Sequence, residues 1–70
     1  MTAPRHAFRD LTETEYVTIM RDALIIRQRI IDAGEMATKT RVETELMAKH
    51  DLTRSLAHDV MNIIEQRALA

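Results

Sequence analysis

The chain has no cysteine and no tryptophan, one glycine, one proline, and only two aromatic rings, Phe8 and Tyr16. Each scarcity removes a class of protein. Without cysteine there is neither a disulfide framework nor a thiolate zinc staple, and three histidines (His6, His50, His58) do not make a structural zinc site by themselves. A single glycine leaves no glycine-rich phosphate loop. The formal net charge of -1, with both signs interspersed, counts against a dedicated nucleic-acid binder, which carries a basic excess. No apolar run approaches the roughly 20 residues of a membrane span, and the N-terminal stretch lacks the apolar core of a signal peptide. The expected setting is cytoplasmic, in a protein of bacterial or phage type.

What is present is alanine, large aliphatic residues and alternating charges, a helix-forming composition. Seventy residues make one domain at most, and so short a chain buries too little surface to be comfortable alone. With disulfide and metal staples excluded, self-association is the remaining common solution.

Residues 1–9 read as an extended arm, Pro4 disfavouring helix before it, and residues 10–70 as a single helical domain. Two overlapping capping boxes, Asp10 with Glu13 and Thr12 with Glu15, mark the start of a first helix. It is expected over about 12–33, ending at Gly34, which is well placed for the left-handed residue past a helix. A third capping box, Thr40 with Glu43, starts a second helix. On one continuous wheel Val42, Leu46, Leu52, Leu56, Ala57, Val60, Ile63 and Ile64 share a face. That unbroken phase predicts one long helix over about 41–68, antiparallel to the first. The expected fold is therefore all-α: an antiparallel helical hairpin assembling into a homo-oligomeric bundle, its longer helix overhanging the shorter.

At 100° per residue, Tyr16, Val17, Ile19, Met20, Ala23, Leu24, Ile26, Ile30 and Ile31 fall within about a half-circle of the first helix. Ile25 lies opposite, between Arg21 and Arg29, either as a stray exposed residue or as part of a second contact surface. Arg27 is placed inside the apolar half-circle. There it must either be paired with a carboxylate or snorkel, or else hold an anion, for which its planar fork suits phosphate. Lys49 and Arg67 sit at the edge of the second helix's stripe, and with Arg27, Arg5 and Arg9 they are candidates to line a positive pocket between subunits. Phe8, just before a cap, either staples the arm to the helix or, with Tyr16, stacks on a base. Glu43, His50 and Arg54 read as a solvated polar edge. His50 and His58, about 12 Å apart along a helix, cannot share a metal. No serine–histidine–acid set or closely paired carboxylates stand out, so no catalytic residues, cofactor or metal are assigned and the chain is not expected to be an enzyme.

Two stretches resemble known families. Glu45-Leu46-Met47-Ala48-Lys49-His50-Asp51-Leu52-Thr53-Arg54-Ser55 resembles the helix-turn-helix phrase of bacterial repressors, with Asp51 in place of the tight-turn glycine. Part of it is also similar to the centre of the RNA-binding ANTAR domain, although the upstream residues do not fit. The repressor likeness implies a break near residues 50–52 and a recognition helix using Thr53, Arg54, Ser55, His58 and Asn62. Phe8-Arg9-Asp10-Leu11-Thr12 with Glu15, and Ala48-Lys49-His50-Asp51-Leu52 with Val60 and Ile63, resemble the small phage anti-CBASS proteins that sequester cyclic nucleotides. The lysine midway along that family's first helix has no clear counterpart, Arg21 or Arg27 being the candidate substitutes, and the tryptophan opening its second is missing. This likeness implies a homo-oligomer binding a small anionic nucleotide between subunits without catalysis. Phe8 or Tyr16 would stack on a base, Arg27 and Lys49 would hold phosphates, and Arg9 would close the site.

The leading expectation is thus a phage-type homo-oligomeric nucleotide-sequestering protein. The alternatives are a helix-turn-helix regulator and a structural or adaptor hairpin that contacts a host protein through the Ile25 side.

Overall fold

The computed structural model describes residues 7–69, and these are all-helical in architecture, as the composition implies. A single 3-10 turn, Phe8–Asp10, precedes three α-helices: α1 (Glu13–Asp32), α2 (Lys39–Lys49) and α3 (Arg54–Leu69). Most of the expected extended arm lies outside the described residues; its last part, Phe8 and Arg9, is in the 3-10 turn rather than extended.

The first helix begins and ends for the expected reasons. The Thr12 hydroxyl accepts from the Glu15 N–H at 3.1 Å, while the Glu15 carboxylate accepts from the Thr12 N–H at 3.0 Å. This reciprocal box satisfies two donors that a helix start leaves without partners. Of the two overlapping boxes only this one forms at α1. Asp10 belongs to the preceding turn, where its carboxylate accepts from the Ala7 N–H. Leu11 and Tyr16, at the positions of a hydrophobic staple, both pack against the core. At the far end Gly34 has φ +78°, the Glu35 N–H donates to the Ile30 carbonyl, and the Gly34 N–H donates to that of Ile31. This is a Schellman ending, which needs a left-handed residue where glycine stands.

The expected long second helix is two helices. The cap of α2 is Thr38, whose hydroxyl accepts from the Arg41 N–H, and not Thr40. The helix stops at His50, which is extended (φ -127°, ψ 147°). Leu52 turns into the core at 5% exposure. Thr53 then caps α3, its hydroxyl accepting from the Leu56 N–H at 3.2 Å and its carbonyl from the Ala57 N–H. Leu52 and Ala57, on either side of this cap, are both buried, a second hydrophobic staple. The uninterrupted phase misled because an interruption of residues 50–53 is close to one helical turn. Counting 100° per residue therefore passes through it with little change in angle.

The three helices run up, down and up. Asp22 of α1 meets Lys49 and His50 at the end of α2, while Glu35, just past α1, meets Arg41 near the start of α2. Likewise Lys39 at the start of α2 meets Asn62 and Glu65 of α3, and Glu43 meets His58 and Arg54. In each pair, advancing along one helix means retreating along the other. Between them lies a core of Ile19, Ala23, Ile26 and Ile30 from α1, Val42 and Leu46 from α2, and Leu56, Val60, Met61 and Ile64 from α3.

Candidate functional site

Two carboxylates tie this bundle together: Asp22, which no sequence pattern singles out, and Glu43, expected on a solvated edge. Asp22, with its side chain 14% exposed, accepts from His50 Nε2 at 2.8 Å and lies 3.4 Å from Lys49 Nζ. The His50 hydrogen bond, helped by Lys49, holds the Asp22 carboxyl below its ordinary value despite partial burial. Glu43, only 4% exposed, is gripped by Arg54 Nη1 at 3.2 Å and His58 Nδ1 at 3.1 Å. The polar edge of Glu43, His50 and Arg54 is therefore not a solvated one. Glu43 sits under the α2–α3 contact, and His50 is bonded to α1. A Glu43–His58 pair oriented through Nδ1 is also half of a hydrolytic arrangement, but Ser55 makes no hydrogen bond to His58. The pair's evident role is to fasten α2 to α3.

The residues expected to hold a nucleotide do not form one site within a chain. Phe8 and Tyr16 face each other edge-on, with ring centroids 5.5 Å apart, and both pack on the core. They staple the N-terminal turn to α1. Arg9 is exposed on that turn. Arg27 is exposed too, which corrects its placement inside the apolar face. The buried face of α1 is centred on Ile19, Ala23, Ile26 and Ile30, and at 100° per residue Arg27 lies about 80° from Ile19. Lys49 pairs with Asp22, which falls on the opposite flank of α1 from Arg27. Arg67 is exposed, and Arg5 lies outside the described residues.

Shallow concavities lie among the described residues. One of about 290 Å³ lies between α1 and α2, lined by Ile26, Arg29, Glu45, Ala48 and Lys49. One of about 130 Å³ lies beside His50, against Thr14, Glu15, Thr18 and Ile19. Another, about 350 Å³, runs along the outer side of α1 by Glu13, Thr14, Val17, Thr18 and Arg21. Among the described residues no group of three or more His, Cys, Asp or Glu side chains is placed to hold a metal. No helix there is long and apolar enough to cross a membrane.

The most distinctive surface is the outer side of α1. Val17, Leu24 and Ile31 belong to the apolar half-circle of α1, yet they are 47%, 52% and 42% exposed. Two packed helices do not cover a half-circle of α1, and its outer flank stays open. These three residues recur every seventh position and so form one seam along the helix. Ile25, 47% exposed, lies about 100° round the helix from Leu24, beyond Arg21 and away from the core. Arg21 and Arg27 flank the seam, and neither has an ion-pair or hydrogen-bond partner among the described residues.

No known protein family, curated protein or solved structure gives a significant match to this chain.

Proposed function

We propose that this chain is a non-catalytic binding module that engages a protein partner through the outer side of α1. The observation that carries this reading is the exposed seam of Val17, Leu24 and Ile31 between two arginines, neither of which has an ion-pair partner among the described residues. Scattered exposed aliphatics are ordinary on small proteins, but three aligned at seven-residue spacing and edged by charge fit a contact surface. The rest of the chain supports a scaffold role. Its buried carboxylates fasten helices to one another, and its N-terminal aromatic pair closes one end. Photo-crosslinking from a reactive side chain placed at position 24 in expressing cells tests the reading. Discrete adducts from position 24 and none from position 55 on α3 are expected. Adducts from 55 alone would overturn it.

A second reading, DNA binding, is favoured by one observation: the break at residues 50–53 falls where the repressor-like phrase requires it. It ranks lower because the reading face of α3 is occupied. Arg54 bonds Glu43 and Thr44, His58 bonds Glu43, Asn62 accepts from Lys39, and the Thr53 hydroxyl caps α3. Those groups must break existing bonds before reaching a base edge. Duplex binding that weakens steeply with salt and is lost in Ser55→Glu would favour this reading over the first.

Cyclic-nucleotide sequestration requires Arg27 and Lys49 to converge across copies of the chain, since they lie on opposite flanks of α1. Native mass spectrometry with a panel of cyclic di- and trinucleotides tests it, expecting an oligomer that carries intact ligand mass. A bare monomer in every mixture would sink it.

A further inference from the structure

The outer side of α1 also carries information about what covers it. Val17, Leu24 and Ile31 span about 21 Å of helix in a nearly straight line. Such a line supplies one of the two positions in every seven at which a second helix is met. Counting 100° per residue from Leu24, Arg21 lies about 60° to one side and Arg27 about 60° to the other. The seam is thus bracketed by positive charge at its centre. Acidic residues stand at its two ends: Glu13, one turn before Val17 on the same side, and Asp32, which already accepts from Gln28 at 2.8 Å.

This bracketing discriminates between occupants. A second copy paired in parallel with Leu24 on Leu24 brings each Arg21 to the same side of the contact as the other copy's Arg27. An antiparallel pairing about Leu24 brings each Arg21 to the same side as its equivalent, and each Arg27 likewise. Both pairings centred on Leu24 therefore set like charges together beside the apolar contact, an arrangement interfaces avoid. A lipid surface suits it little better, for the seam is narrow and holds no aromatic ring, whereas interfacial helices present a broad apolar face with aromatic anchors. Carboxylates on both sides of an apolar stripe would instead meet both arginines, for which guanidinium is well shaped.

Resting on the reading of α1 as the contact surface, we infer that its partner is an acidic amphipathic helix of another protein. That helix bears aliphatic residues at heptad spacing, with Asp or Glu flanking them. Arg21 and Arg27 select it by charge, and Val17, Leu24 and Ile31 supply the contact.

The test uses two synthetic helical peptides with the same leucine stripe, one flanked by glutamates and the other by lysines. Each is titrated into the full chain and followed by fluorescence anisotropy, with sedimentation of the chain alone alongside. The glutamate peptide is expected to bind at least about tenfold more tightly than the lysine peptide. Leu24→Asp should abolish binding, and the Arg21→Glu/Arg27→Glu double variant should reverse the preference. Residues 21, 24 and 27 are all exposed, so circular dichroism should show these variants folded. Equal affinity for both peptides, or none for either, overturns the charge-selected helix. If the chain alone dimerises and Leu24→Asp makes it monomeric, the acidic partner is wrong while the α1 contact surface survives. If Leu24→Asp alters neither peptide binding nor self-association, the contact-surface reading fails as well.

Discussion

His50 Nε2 lies 2.8 Å from Asp22 Oδ2 and so fastens the end of α2, where the chain turns, to the middle of α1. Removing the imidazole leaves a largely buried carboxylate with Lys49 at 3.4 Å as its remaining partner. His50→Ala should therefore cost about 1–3 kcal/mol in urea unfolding, the usual penalty for depriving a buried acceptor of its donor. A variant as stable as the parent would show that the contact does not hold the turn.

The same pair makes a pH prediction. The folded Asp22 carboxyl is held below its ordinary value chiefly by the His50 hydrogen bond, with Lys49 adding to it. A depressed carboxylate contributes stability that is fully present above its unfolded value of about 4 and disappears as pH falls through the lower folded value. The stability gap between the parent and Asp22→Asn should thus shrink as pH falls below about 4. A gap unchanged down to pH 2 would contradict this assignment.

Glu43 offers an asymmetric test. Arg54 and His58 are each about half exposed and can turn to water, but Glu43 cannot. The Arg54→Ala/His58→Ala double variant strands a buried charge and should lose about 3 kcal/mol or more. Glu43→Leu removes that charge and should cost much less, or nothing. Equal losses in denaturant melts would contradict the burial of Glu43.

Gly34 is a purely conformational case. A methyl group there would meet nothing within 4 Å, yet φ is +78°. Gly34→Ala should lose about 1 kcal/mol through backbone strain alone, and Gly34→Asn less, because asparagine tolerates the left-handed region better.

Where the sequence was legible, the controlling physics was local. The Thr12–Glu15 box, the glycine after α1 and the all-helical class all follow from a few adjacent residues. The break between α2 and α3 had a local signal too, in Thr53 as a cap with Leu52 and Ala57 as its staple. A wheel that keeps phase through nearly one turn outweighed it. Arg27 and Leu24 were misplaced for a different reason: how much of α1 is covered depends on how narrow α2 and α3 are, which no pattern within α1 records. The pairing of Asp22 with His50 links residues 28 positions apart and becomes visible only when the helices are laid side by side.

The most direct test of the account is an amide chemical-shift map of the full chain titrated with the glutamate-flanked leucine peptide. The account predicts that perturbations concentrate at Val17, Arg21, Leu24, Arg27 and Ile31, with residues 53–62 little changed. Perturbations confined to Thr53, Arg54, Ser55 and His58, or none along α1 at saturating peptide, would contradict it.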